Sequence, residues 1–86
     1  MIDRNEMIST LQGLLFQYSD KLYIPTREKL FGINLGFTSG EIFDVLIHIS
    51  KEYNINLNDY LNCIRDYSID GLADAYETYC RIPGKS

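Results

Sequence analysis

Tryptophan is absent from the chain, and histidine, cysteine, proline and methionine are scarce: one, two, two and two among 86 residues. The two cysteines, Cys63 and Cys80, belong to no CxxC or CxxH pair, so no metal site is expected. They read as reduced thiols, although sequence alone leaves a disulfide open. No apolar run approaches the about 20 residues needed to cross a bilayer. The opening Met1-Ile2-Asp3-Arg4-Asn5-Glu6 is polar and has no apolar signal region. The expectation is a cytoplasmic protein with no membrane contact. Positive charge is also in short supply: 8 Lys and Arg stand against 12 Asp and Glu, for a net charge of −4. Such a chain repels phosphate backbones, which argues against a nucleic-acid partner and favours a basic protein partner.

What is present suits one small folded domain. The composition is 45% hydrophobic and 23% charged, enough for a single modest core and too little chain for a deep cleft. Residues 5–18 carry Met7, Ile8, Leu11, Leu14, Leu15 and Tyr18 at three- and four-residue spacing, the mark of a helix. Asp3 or Asn5 is placed to cap it, and Ser19-Asp20 marks its end. The pattern then lapses over residues 21–37. Pro25 blocks helix continuation, and Thr26-Arg27-Glu28-Lys29 suits one short turn. Leu30, Phe31, Ile33, Leu35 and Phe37 are too apolar for a solvated loop, so several are expected to insert into the bundle. Loops this long are often functional.

The second helix is expected over residues 39–53. Ile42, Val45, Leu46, Ile49 and Tyr53 form its stripe, widened by Phe43 and Ile47. Thr38 and Glu41 have capping-box spacing. Glu41, Asp44, His48, Lys51 and Glu52 fall on the exposed face, and Asn54 suits a left-handed cap. A short third helix is expected from Asn58 or Asp59 to Ile64, with Tyr60, Leu61 and Ile64 inward. Ser68 reads as the cap of a fourth, whose stripe is Ile69, Leu72, Ala73, Tyr76 and Tyr79 or Cys80. The tyrosines on these stripes read as core, whereas Tyr23 and Tyr67 fall in connections and suit an exposed patch. The expected fold is an all-α bundle of three longer helices and one short one, with a long loop between the first two. It is a single domain over 1–80 with a loose tail over 81–86.

The stretch Leu35-Gly36-Phe37-Thr38-Ser39, followed by the long helical pattern and by Glu52-Tyr53-Asn54-Ile55-Asn56-Leu57, resembles the acyl carrier protein family. The register is ungapped, and Ser68-Ile69 matches the Thr-Val that opens the family's last helix. The tract from Leu30-Phe31-Gly32 to Gly40 also looks like acyl-carrier-related proteins of bacterial peptide maturation systems. This resemblance implies a covalent 4'-phosphopantetheine on Ser39, attached by a phosphopantetheinyl transferase. It also implies partner recognition through Thr38, Gly40, Glu41 and Asp44, with biosynthetic or peptide-modifying enzymes as partners. The family's modified motif is Asp-Ser-Leu, and here it reads Thr38-Ser39-Gly40. The carboxylate before the serine and the apolar residue after it are missing. A second reading therefore keeps the fold without the arm, as a module that recruits enzymes through the second helix.

A carrier serine is not a nucleophile activated by its neighbours, so no triad is needed beside Ser39. Nor does the chain offer catalytic residues. The one histidine, His48, reads as a surface residue, and no third group orients a Cys–His pair. No enzymatic activity is expected, and the expected form is a monomer.

Overall fold

In a computed structural model, which describes residues 3–19, 23–33 and 35–82, the chain forms four helices: α1 (Arg4–Phe16), α2 (Ser39–Glu52), α3 (Leu57–Cys63) and α4 (Ile69–Cys80). Among the described residues there is no strand. The all-α bundle with one short helix and a long first connection is as the apolar spacing predicts. Most of the tail, residues 83–86, lies outside the described residues, as does Asp20 of the expected first boundary.

Each helix starts on a side chain that accepts a backbone N–H. Asp3 takes the Glu6 amide at 2.8 Å, Asn56 takes that of Asp59 at 3.1 Å, and Ser68 takes that of Gly71 at 3.0 Å. These caps satisfy donors that the helix itself leaves open. Asp3, not Asn5, opens α1. The third helix begins earlier than expected because Asn56 is its cap, and Ile64, expected inside it, is already extended. The first helix ends at Phe16, short of Tyr18. At the end of α2, Asn54 has φ +55° and the Ile55 amide reaches back to the Ser50 carbonyl at 2.9 Å. That six-residue closure is the Schellman ending which a left-handed Asn permits.

The core is one cluster fed by all four helices. Met7, Leu11 and Leu15 from α1 meet Ile42, Leu46 and Ile49 from α2. Tyr60 supplies α3's only fully buried side chain, and Ile69, Leu72 and Tyr76 line α4. Burying such apolar side chains is worth about 1.5–3 kcal/mol each, offset largely by chain entropy. The long connection contributes Ile24, Leu30 and Phe37 to this core. Two of its residues do not insert as expected: Ile33 is fully exposed and Phe31 is 47% exposed. Tyr18 and Phe43, assigned to core stripes by periodicity, are also exposed: Tyr18 falls beyond the end of α1, and Phe43 lies at the edge of the α2 stripe, on the rim of a groove.

The connection is nevertheless held in place. Leu30 donates to the Tyr67 carbonyl at 2.8 Å, Phe37 to the Leu30 carbonyl at 2.9 Å, and Asp70 to the Thr26 carbonyl at 2.9 Å. Gly36 makes the turn into α2 with φ +64°, a region that disfavours any side chain. Lys29 pairs with Asp66 in the α3–α4 link. Arg4 reaches from α1 to three carboxylates on one face of α4, Asp70, Asp74 and Glu77, with its Asp74 contact at 2.6 Å.

The bond from Lys29, and then that from the Ser68 hydroxyl, hold the Asp66 carboxyl below its ordinary value of 3.8. A carboxyl lowered in the folded state stabilises the fold above the unfolded value, and that share is lost as pH falls through the folded value. Asp66→Asn should therefore flatten the acid side of the stability curve, below about pH 4. The pair is open to solvent, so the effect should stay below about 1 kcal/mol. Urea titrations from about pH 2 to 6, a range on either side of the ordinary carboxyl value, check this. An acid limb unchanged by the substitution would contradict it.

Candidate functional site

The first turn of α2 is built by a reciprocal pair. Thr38 Oγ1 accepts the Glu41 amide at 3.2 Å, and Glu41 Oε1 accepts the Thr38 amide at 2.9 Å. This is the capping box that the Thr38–Glu41 spacing predicts. It locks the helix start and thereby fixes Ser39 as the first helical residue. The Ser39 side chain is exposed and makes no hydrogen bond among the described residues. The amides of Ser39 and Gly40 precede the first bond of the helical ladder, so the positive end of the helix dipole is presented there.

Gly40 is exposed, and a Cβ built on it would meet only Thr38 Oγ1, at 3.9 Å. Its backbone does not require glycine, so the residue's effect is to leave the approach to Ser39 clear. Glu41 is half-buried and its carboxylate is tied into the cap. Asp44, one turn on, is exposed. The structure thus gathers Thr38, Ser39, Gly40 and Glu41 into one turn with Asp44 above it, but gives Glu41 a structural duty that charge counting does not show.

Beside Ser39 lies an open, apolar groove of about 250 Å³, lined by Phe31, Ser39, Ile42, Phe43, Leu46, Leu61 and Tyr67. Its floor is Ile42 and Leu46, both buried core side chains. One wall is Phe43, 45% exposed. The other is an aromatic pair, Phe31 against Tyr67, with ring centres 5.2 Å apart and planes at 56°. Such tilted contacts suit the ring quadrupoles. In sequence Phe31 falls in the long connection and Tyr67 in a later one expected to be exposed; the structure half-buries Tyr67 against Phe31. The two are joined by the Leu30–Tyr67 backbone bond, a tertiary contact that no local pattern encodes.

Elsewhere the chemistry is sparse. Among the described residues no group of three or more His, Cys, Asp or Glu is placed to hold a metal ion, and no helix is long and apolar enough to cross a membrane. Both cysteines are free thiols. Cys63 lines a small depression with Gly71, Asp74, Ala75 and Thr78 of α4. The opposite end of α3 meets Tyr79, beside Cys80, through Asn56. His48 lies on the exposed face of α2, away from that depression.

Comparison with known proteins leaves the residues to speak for themselves: no family model, no curated protein and no solved structure matches the chain.

Proposed function

We propose that the chain is a carrier-like protein, which takes a 4'-phosphopantetheine arm on Ser39 and presents the group it bears to biosynthetic or peptide-modifying enzymes. The observation that carries this reading is the placing of Ser39: an exposed hydroxyl at the first position of a 14-residue helix, next to an apolar groove. The site suits the group on three counts. The hydroxyl is accessible to a transferase. The open amides of Ser39 and Gly40 favour the negative charge of a phosphodiester. The clear space over Gly40 admits the arm. When bound, the arm supplies a thiol that holds an acyl or aminoacyl group as a thioester.

The protein's own part is positional. Thr38 and Glu41 keep the helix start from fraying, so Ser39 sits at a fixed point on a rigid element. Asp44 and the groove rim beside it offer an acidic and apolar surface to a docking enzyme. Tethering then raises the effective concentration of the carried group at successive active sites. The test is intact mass after incubation with coenzyme A and a panel of phosphopantetheinyl transferases. The expected result is a gain of roughly 340 Da, the added mass of the arm, absent in Ser39→Ala. No Ser39-dependent gain with any transferase would sink the carrier reading.

One observation favours the reading without the arm. Phe43 and Asp44, consecutive in α2, are both exposed, and Phe43 lines the groove. A recruiting module would use that pair whether or not Ser39 is modified. Asp44→Lys is the clean substitution, since Glu41→Lys would also break the cap. In a Ser39→Ala background, Asp44→Lys combined with Phe43→Ser should reduce capture of the partner enzyme in a pull-down by at least about tenfold, the loss expected for a central aromatic anchor. Undiminished capture would count against this form.

A further inference from the structure

The long connection meets the α3–α4 link along a short antiparallel run. Asp70 donates to the Thr26 carbonyl at 2.9 Å and Leu30 to the Tyr67 carbonyl at 2.8 Å. Lys29 pairs with Asp66, and Arg27 Nε lies 3.8 Å from Asp70 Oδ2. The Leu30 carbonyl in turn accepts the Phe37 amide at 2.9 Å. Residues 26–31 are thus a strap clipped to the body of the protein. Its charged fastenings lie at the surface: the Arg27 side chain is 95% exposed and that of Lys29 72%. Within the strap only Leu30 is buried, whereas α4 buries seven of its 12 residues. Few buried apolar contacts and surface fastenings mark a segment that opens below global unfolding.

The strap ends on the groove beside Ser39. Phe31, its last residue, forms one wall of that groove with Tyr67. We infer that residues 26–31 are a lid, which unclips as a unit from the α3–α4 link, carries Phe31 away from Tyr67 and widens the groove over Ile42 and Leu46. Three backbone bonds break together in that step: Leu30 to Tyr67, Asp70 to Thr26 and Phe37 to Leu30. None of them lies within a helix, so the four helical ladders survive the opening. The α4 start gives up only the partner of the Asp70 amide, one of the donors that a helix leaves open and water can satisfy. Exposed ion pairs contribute little each, so the lid is held chiefly by the buried Leu30 side chain. The opening does not require an arm on Ser39. That the widened groove serves a group carried there rests on the carrier reading.

The test is native-state amide exchange of the full chain, read residue by residue. The amides of Leu30, Phe37 and Asp70 are expected to share one opening equilibrium, ahead of Ala75 and Tyr76 in the middle of α4. Leu30→Val trims the anchor by one buried methylene and should speed all three by about fourfold. Tyr53→Phe breaks the bond between the Thr10 and Tyr53 hydroxyls, 2.8 Å long, which joins α1 to α2. It should speed Ala75 and Tyr76 by roughly two- to tenfold and leave the three lid amides unchanged, because that bond persists while the lid is open. Nile red, an uncharged apolar dye, should bind Leu30→Val more tightly by the same factor as the lid amides quicken, since the open form alone offers the widened groove. Lid amides that exchange only together with Ala75 and Tyr76, or that quicken with Tyr53→Phe, would overturn the inference. So would a dye affinity unmoved by Leu30→Val, which would separate the strap from the groove.

Discussion

Gly71→Ala should cost about 3 kcal/mol or more, a large share of the roughly 4–13 kcal/mol that holds a chain of this size folded. A Cβ at Gly71 would lie 2.1 Å from the Asp66 carbonyl oxygen and 2.8 Å from its carbonyl carbon. Those are backbone atoms, and they have little freedom to withdraw. Asp66 is held by Lys29 and by the Ser68 hydroxyl, and the next residue accepts the Leu30 amide. Either α4 moves off the link, exposing Ile69 and Leu72, or the cap at Ser68 breaks. Gly13→Ala is the matched control. It sits in a helix with nothing near it, so the same added methyl should stabilise by up to about 1 kcal/mol through helix propensity. Thermal unfolding separates the two: a fall of at least about 12 °C for Gly71→Ala against a small rise for Gly13→Ala. Equal shifts of the same sign would contradict the packing described.

Tyr60→Ala should be comparably damaging, at about 3–5 kcal/mol, and Tyr60→Phe should cost only about 1 kcal/mol. Tyr60 is fully buried, and its hydroxyl donates to the Leu72 carbonyl at 2.8 Å. Burial pushes the phenol's pKa well above its ordinary value, so the ring stays neutral. The alanine loses the ring's burial and leaves a cavity, whereas phenylalanine loses one hydrogen bond and keeps the packing. The larger loss should fall first on α3. A helix of seven residues has no stability of its own, and Tyr60 is its only fully buried anchor. Amide exchange in Tyr60→Ala should therefore open residues 57–63 ahead of α2 and α4. Uniform exchange across all the helices would show that Tyr60 does not hold α3 individually.

The features legible in the sequence are those whose cause lies within a few residues. Thr38 and Glu41 announce the start of α2, Ser68 that of α4, and Asn54 the left-handed end of α2, because caps act across one turn. Apolar spacing likewise places Leu11, Leu46 and Leu72 in the core. It fails for Tyr18, because α1 stops at Phe16, and for Phe43, because period counting does not show how wide the covered stripe is. The other misses span long separations. Arg4 meets carboxylates 66 to 73 residues away. Gly71 is needed only because the chain at Asp66 folds back against it. The Ser39 site was legible as a residue and a helix start. Its groove was not, because Phe31 and Tyr67 become one wall only when the long connection docks.

That division explains why the carrier-like reading rests on Ser39 more than on its surroundings. Thr38 preserves the helix start without supplying a carboxylate beside the serine, and Gly40 clears the approach without supplying an apolar contact. What is present is an exposed serine at the first position of a capped helix, in a motif that departs from Asp-Ser-Leu. The most direct measurement is the intact mass of the protein isolated from the cells that make it, followed by fragmentation to locate any added group. The account predicts a species heavier than the bare chain by roughly 340 Da or by that arm plus its cargo, with the addition on Ser39. A chain recovered only at its unmodified mass, or carrying its addition on another residue, would contradict it.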